Sequence, residues 1–551
     1  MSPRRRGADA LVAVLVELGT QHVFTLSGNQ IMSVFDAVIE MPIELIHVRH
    51  EAAAVHMADT WGRLTGQPGV ALVTAGPGFA NCLSALYVAR MAEAPLVLLS
   101  GCSPAAASDQ GAFQQIPQAA MAEPVAKATW TVTSVNAVAD DMRRALRIAA
   151  SGRPGPVHLS LPVDVLEGLT DEPVAPPEGD MELAILSEAS ADRIVDALAT
   201  ANAPLVLAGP SCGRGVSGER LRELALETGV PTIHMESPRG VNDPSLGAFA
   251  EVLPDADVVA LLGKRLDFTL QPRGQLALGV TSRLLVVDSE AYVSRQARDV
   301  AGNRRVEIDE NVDCTSAAEV LLRATRRRQA SAYAPRSDWA QRVDEAISYR
   351  PVEWNELRSS PGQPLHAVEL CRSVAQSFAT DPNTVFVSDG GEFGQWAQAC
   401  VDGPRRVING PSGAIGGSIP FAIAARLAFP DARVVAFLGD GTFGFHAMEY
   451  DTAVRYDVPF VAVVGNDAAW NAEYQIQLRS YGEGRTIGCE LRSSDYDQVV
   501  TALGGHGERV CAAGEVGPAM KRAFSSGKPA CLNVPIRRIA APVVRRQGTV
   551  C

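Results

Sequence analysis

Short apolar runs that end in turn residues alternate with longer helix-like stretches over the first 165 residues. ELIHVRHE at 44–51, GVALVTAGPG at 69–78 and PLVLLSG at 95–101 read as strands, with AAAVHMADTWGRLTG and FANCLSALYVARMAE as the helices between them. This βαβαβ order predicts a parallel sheet covered by helices on both faces. The unit closes at GRPGPVHLSLPVDV and runs into a Pro- and acid-rich linker, LEGLTDEPVAPPEGD. A second series of strand-like runs (APLVLAGP, VPTIHME, ADVVALLGKRLDF, RLLVVDSE) starts near 186 and continues to about 325. A charged, Pro-containing stretch then leads to a third series: NTVFVSDGG, RVVAFLGDG, PFVAVVGND and PACLNVPI. The fold class expected is α/β, with three doubly wound parallel-sheet domains at 1–170, 186–325 and 362–537. The first and third share an architecture.

Composition narrows the function. The 551 residues are 47% hydrophobic and 20% charged, which excludes a fibrous or mainly disordered chain. A formal charge of −13 opposes the general attraction that duplex nucleic acid needs, so nucleic acid is not an expected partner. The ten cysteines lie far apart, with no CxxC and no Cys/His cluster at metal spacing, and read as reduced, packed thiols. LVAVLVELGTQHVF, after the basic N-terminus, is interrupted by Glu17 and reads as a helix entering a domain rather than a signal peptide. No apolar run reaches membrane-spanning length, and a cytoplasmic location is the expectation.

The chemistry concentrates in the third unit. One apolar strand ends at Gly439-Asp440-Gly441, a helical segment follows, and the next apolar strand ends at Gly465-Asn466-Asp467. A right-handed βαβ crossover puts both strand ends on the edge where such folds bind ligands, so Asp440 and Asp467 can face one another. Two carboxylates on turns, without His or Cys, make a hard oxygen site suited to Mg²⁺ or Ca²⁺ and unsuited to zinc. Gly441 allows close backbone approach, and the N–H groups around Thr442 open a helix, where an anion is favoured. Either turn alone would be ordinary; the pair at the ends of consecutive strands points to a metal that carries a phosphate.

With these motifs the chain resembles the thiamine diphosphate enzymes, whose signature is GDG followed some two dozen residues later by Asn or Asp. The resemblance spans almost the whole chain: RHEAAAVHMADTWGRLTG and GPGFAN at 76–81 match further family segments. It implies a pyrimidine-binding first domain, a central domain and a diphosphate-binding third domain. The implied Mg²⁺ ligands are Asp440, Asp467 and the Ala469 carbonyl, Asp467 standing where most members have Asn. Glu51 is implied as the carboxylate that activates the cofactor's aminopyrimidine, from an apolar pocket with a raised pKa. NGPSGAIGGSIPFAIAA places Ile415 as the aliphatic wedge that bends the cofactor, with the Gly413 carbonyl and Ile415 N–H on the pyrimidine edge. SDGGEFGQW places Gly391, Glu392 and Phe393 near the diphosphate. The family also implies that Glu51 of one subunit serves the third domain of another, so that a homodimer is the minimum unit and a homotetramer is common.

Two subgroups remain for the reaction, both making or breaking a C–C bond beside a carbonyl through a carbanion/enamine on the cofactor. Acetohydroxyacid (acetolactate) synthases are favoured by GRPGPV at 152–157 and by GAFQ at 111–114, where Gln114 would face a 2-oxo acid. Against them, LPVDV has Val163 where the family has Lys, and Arg265-Leu-Asp-Phe-Thr269 lacks the final Arg that grips a substrate carboxylate. The 2-hydroxyacyl-CoA lyases and oxalyl-CoA decarboxylases are favoured by GKRLDFTL and by the stretch from Tyr496 to Gly507, with Glu490 as candidate acid/base. An acyl-CoA lyase or carboligase acting on an acyl-CoA, aldehyde or ketone is the leading expectation, with the synthase close behind. The arginine-containing tail RRIAAPVVRRQ is a candidate for a nucleotide phosphate. FAD, or an ADP or CoA moiety, in the central domain stays open at this point. The alternative of another class, a non-catalytic regulator or nucleotide-binding relic on this fold, is opposed by the presence of Glu51, Asp440 and Asp467.

Overall fold

Each of the three series of apolar runs forms one parallel sheet. The computed structural model describes residues 5–107, 111–170, 184–271, 274–328, 337–378 and 381–546. Most of the linker, Cys551, the last residue of the arginine-containing tail and part of the charged stretch after 325 lie outside them. The first sheet runs Glu44–His47, His22–Thr25, Gly69–Val73, Leu96–Cys102, Pro156–Pro162, Ala128–Thr131 from edge to edge. The third runs Arg405–Ile408, Thr384–Ser388, Arg433–Gly439, Val461–Asn466, Ala530–Pro535, His506–Arg509. Numbered within each unit, both have the strand order 2-1-3-4-6-5, which is the shared architecture expected. The central sheet, Thr232–His234, Pro204–Ala208, Val258–Leu262, Arg283–Asp288, Val306–Asn311, has the order 2-1-3-4-5. The only antiparallel strand pair among the described residues is short, Arg5–Arg6 with Leu169–Thr170, beside an isolated antiparallel bridge between Ala469 and Glu490.

Gly7–Glu17 is a helix packed into the first unit's core, as its reading as a domain-entry helix requires, but the end of that stretch lies in His22–Thr25, which is instead a strand of the first sheet. Helix Ser337–Ser348 departs from the expected division: Trp339, Val343 and Ala346 enter the central core, and Trp339 Nε1 donates to the Pro204 carbonyl at 2.8 Å. The charged positions hid a three-residue apolar stripe at helical spacing. None of the described helices is long and apolar enough to cross a membrane.

The first and third units share one hydrophobic core, built where helix Glu51–Thr65 lies against helix Ser418–Ala428. Alanines at 52, 53, 54 and 58 on one side and at 422, 424 and 425 on the other permit close approach. Arg63 and Asp59 form a fully buried ion pair on this seam, and Arg63 Nη1 crosses it to the Ile408 carbonyl at 2.6 Å. Further along, Tyr456 Oη accepts from His47 N–H at 2.8 Å and donates to the Leu45 carbonyl at 2.7 Å. The histidines scattered in sequence partly gather here: the His446 ring lies 5.8 Å from His50 and 5.6 Å from His56. Burial and, secondarily, the neighbouring His50 lower His446 to about 4, so it is neutral at physiological pH. Asp59→Ala would strand the Arg63 guanidinium and is expected to cost about 3–5 kcal/mol, read as a lowered thermal midpoint. A variant melting with the parent would show that the seam does not depend on the pair.

Candidate active site

Glu51 begins a helix whose preceding residue, His50, caps it by accepting the Ala52 N–H at 3.1 Å. Its carboxylate is buried, with 9% exposure, and Asn81 Nδ2 donates to Oε2 at 2.9 Å. The pocket is therefore polar on one side, because the last residue of GPGFAN reaches back to hold the glutamate. The glycines of that motif are needed for contact: a Cβ on Gly78 would lie 3.4 Å from Glu51 Oε1 and 2.7 Å from Thr74 Cγ2. Gly76 has φ +58°, and a Cβ there would lie 2.8 Å from that of Gln114. Gln114 itself sits at φ +60° and accepts from Gln30 Nε2 at 3.0 Å, while Thr74 Oγ1 donates to Gln30 Oε1 at 2.6 Å. Glu51 and Gln114 thus flank one turn at the C-terminal end of strand Gly69–Val73.

A second constellation occupies the same edge of the third sheet. Gly439 and Gly465 are aligned neighbours on adjacent parallel strands, so Asp440 and Asp467 emerge side by side. Asp440 is 2% exposed, and its Oδ2 has no hydrogen-bond partner among the described residues. Gly441 is held against Trp470, whose ring a Cβ would meet at 2.7 Å, and Thr442 Oγ1 donates to the Gly439 carbonyl at 2.9 Å. Ala468, at φ +54°, turns the chain so that Ala469 is buried and its carbonyl accepts no hydrogen bond from the described residues.

Asp389, which sequence reasoning missed, organises the rest. Its buried carboxylate accepts the N–H groups of Gly390 (2.7 Å), Gly416 (2.9 Å) and Ser418 (3.2 Å) and the Ser418 hydroxyl (2.7 Å). It thereby ties the segment bearing Gly391 and Glu392 to the loop bearing Gly413 and Ile415. A Cβ on Gly390 would lie 2.8 Å from Ile415 Cγ2, so the two segments touch. An Asp between an apolar strand and Gly-Gly was the available signal. Gly391 opens helix Gly391–Cys400 at φ +77°, and the partly buried Glu392 lies 3.7 Å from Arg239, its Oε2 without a hydrogen-bond partner among the described residues. Phe393 lies in the core against Gly465 and Phe437, so only its backbone is available to a ligand. Glu490 is exposed and paired with Arg538 at 2.8 and 3.0 Å; that guanidinium draws its carboxyl below the usual range. Arg538 also donates to the Ala468 carbonyl at 3.0 Å, so this part of the arginine-containing tail braces the turn after Asp467.

Residues 5–121 match the family model for the thiamine pyrophosphate enzyme N-terminal TPP binding domain, and residues 389–534 match that for the C-terminal TPP binding domain. Over 537 residues the chain is 34% identical to the acetolactate synthase large subunit IlvG of Mycobacterium tuberculosis, covering 94% of this chain and 93% of that protein. This chain is a thiamine diphosphate enzyme. It is also 31% identical to human 2-hydroxyacyl-CoA lyase 2 over 548 residues (91% and 85% of the two chains). To the acetolactate synthase of Bacillus subtilis it is 28% identical over 561 residues (97% and 93%). It belongs to the family that contains both.

In this thiamine diphosphate enzyme the two constellations are separate. Among the described residues, no hydrogen bond or ion pair joins Glu51, Asn81 or Gln114 to residues 389–392, 413–415, 440–442 or 467–469. The acidic pair has the chemistry of a hard-cation site: an orphaned carboxylate oxygen, a second carboxylate and a free carbonyl. No group of three or more His, Cys, Asp or Glu gathers as a metal cluster among the described residues, so further ligands must come from a bound phosphate or water. Burial pushes Asp440 up to about 6, and burial together with the Asp440 charge pushes Asp467 up to about 7. Each folded-state value lies above that of an unfolded carboxyl. The stability this contributes is present at low pH and is lost as pH rises through about 6 to 7.

A divalent cation should relieve that repulsion. Mg²⁺ is expected to raise the thermal midpoint more at about pH 8 than at about pH 5, and Asp440→Asn should abolish the difference. Equal shifts at both pH values would contradict the reading. Asp389→Ala should leave the protein folded but weaken thiamine diphosphate binding about tenfold or more by calorimetry, since several buried donors lose their acceptor.

Proposed function

We propose that this enzyme makes or breaks a C–C bond adjacent to a carbonyl, with thiamine diphosphate held through Mg²⁺ on Asp440, Asp467 and the Ala469 carbonyl. The observation that carries the reading is the buried Asp440–Asp467 pair with its unpartnered oxygen at the end of adjacent parallel strands. The bound cofactor supplies a carbon nucleophile and a sink for the electron pair of the broken bond. Glu51 holds a proton at the aminopyrimidine, and Asn81 fixes the carboxylate that does so. The Gly413 carbonyl and Ile415 N–H would hold the same ring, and the Ile415 side chain would pack against the bound cofactor. Gly391, Gly441 and Thr442, with the backbone beside Glu392 and Phe393, line the diphosphate. Gln114, across the turn from Glu51, faces the substrate. Glu51 of one subunit serves the cofactor on its partner, so the working unit is at least a homodimer.

For the substrate, a 2-hydroxyacyl-CoA, cleaved or formed, is the leading reading. It is supported by Thr269, which stands where the synthase pattern has its carboxylate-gripping arginine. The Thr269 hydroxyl is engaged by Lys264 and Asp267, both at 2.5 Å. Human 2-hydroxyacyl-CoA lyase 2 is among the relatives. Acetolactate synthesis from a 2-oxo acid is the second reading, favoured by the Mycobacterium tuberculosis and Bacillus subtilis relatives and by Gln114 lying across the Gly76–Gly78 turn from Glu51. Parallel assays with a 2-hydroxyacyl-CoA and with pyruvate decide between them. Turnover of the thioester with little turnover of pyruvate is expected, and the reverse would assign the synthase. Glu51→Gln should lower kcat about 10²- to 10⁴-fold while Mg²⁺ and diphosphate binding persist; an undiminished kcat would refute the role of Glu51.

A further inference from the structure

Doubly wound sheets bind ligands where neighbouring strands send their connections to opposite faces. In the central sheet that point lies between Pro204–Ala208 and Val258–Leu262. The backbones converge there, since a Cβ on Gly209 would lie 2.1 Å from the Gly263 carbonyl oxygen. The turn after the first strand, Gly209-Pro210-Ser211, offers the N–H and hydroxyl of Ser211, and Arg153 stands beside it. Such donors suit the phosphate of a nucleotide.

They are already occupied. Glu93 Oε2 accepts from Ser211 N–H at 3.0 Å and from Ser211 Oγ at 2.7 Å, and Glu93 Oε1 pairs with Arg153 Nη1. The other arm of Arg153 pairs with Asp288, the last residue of strand Arg283–Asp288. Glu93 is 6% exposed and sits at φ +54°, a left-handed conformation that is unfavourable for a non-glycine residue and needs a compensating interaction. Burial works against its charge, but Arg153 and the two Ser211 donors outweigh it and hold the carboxyl below the usual range. The nearby cations are matched as well: Arg265 pairs with Glu290 at 3.0 Å, Arg90 approaches Glu290 at 3.7 Å, and Lys264 pairs with Asp267 at 3.2 Å. The cluster carries no net positive charge to attract a diphosphate. Glu93 lines both a cavity of about 210 Å³, shared with Arg90, Arg153, Lys264 and Arg265, and one of about 660 Å³, shared with Ser211 and Arg214, so it is the Glu93 carboxylate and not a lack of volume that keeps a phosphate from the Ser211 donors.

We propose that the Glu93 carboxylate takes the place of a nucleotide phosphate, so that the central domain of this enzyme binds neither FAD nor an ADP moiety and serves as structure. Among the described residues Arg90 Nη1, Arg153 Nε and Arg265 Nε have no hydrogen-bond acceptor, so removing Glu93 would leave a cationic site ready for an anion.

The test uses the full-length enzyme. The purified protein should show no flavin absorption, and calorimetric titration with FAD or ADP should give no binding, while thiamine diphosphate titrated into the same sample reports separately on the catalytic reading. Glu93→Ser should tighten ADP binding about tenfold or more, and Glu93→Gln, which removes the charge while keeping the volume, should also gain. Adding Arg153→Met to Glu93→Ser should cancel the gain. Copurified flavin, or ADP binding by the parent as tight as by Glu93→Ser, overturns the proposal. A folded Glu93→Ser that gains nothing also overturns it. If Glu93→Ser does not fold, the parent and Glu93→Gln decide by the same criteria.

Discussion

Helix Glu51–Thr65 and helix Ser418–Ala428 meet through alanines in one continuous core, and this seam determines how the site can work. Because small side chains let the helices approach closely, the first and third units cannot shift independently without opening buried apolar surface. The buried Arg63–Asp59 pair and the Tyr456 hydrogen bonds fasten it further. Glu51 stands at the start of one seam helix, while the acidic pair belongs to strands of the third sheet. A single chain therefore carries both halves of the machinery but joins them by no polar contact among its described residues. Rigid coupling within the chain is compatible with the proposed completion of the site by a second chain.

Both outer sheets repeat one strand order, and each places its functional turns on the C-terminal edge. On the first sheet that edge holds a carboxylate steadied by an amide. On the third it holds two carboxylates that repel one another in the absence of a cation. Burial raises the free energy of the charged acidic pair, and a divalent ion bound there as proposed would lower it again, linking cofactor binding to local stability. Asp389 contributes by a different means: one buried acceptor gathers four donors from two segments and shapes the loop that carries Ile415.

Much of this was legible in the chain. Apolar runs ending in Gly, Asp and Asn marked most of the inner strands because parallel strands are buried on both faces and need no alternation, whereas the edge strands Ala128–Thr131, Val306–Asn311, Arg405–Ile408 and His506–Arg509, and the inner strand His22–Thr25, went unmarked. RHE, GPGFAN, GDG and GND stood out because their chemistry depends on local spacing. What stayed hidden depends on distant partners. Asp389 and Asn81 reveal their work only when loops far apart in sequence meet, and Glu93 does so only against Ser211 and Arg153. Glu490 looked available for proton transfer until Arg538, 48 residues on, was found across from it. Phe393 sits in a motif read as diphosphate-binding, yet its ring is core because Gly465 makes room for it.

Complementation between two inactive variants tests the central claim, that each active site is assembled from two chains, most directly. Glu51→Gln and Asp440→Asn each disable one half of the machinery, on opposite sides of the seam. Coexpressed at equal levels, they should form mixed dimers in which one of the two sites is intact, restoring about a quarter of the parent's activity. If the mixed oligomers form and remain as inactive as the separate variants, the site lies within one chain and the account is wrong.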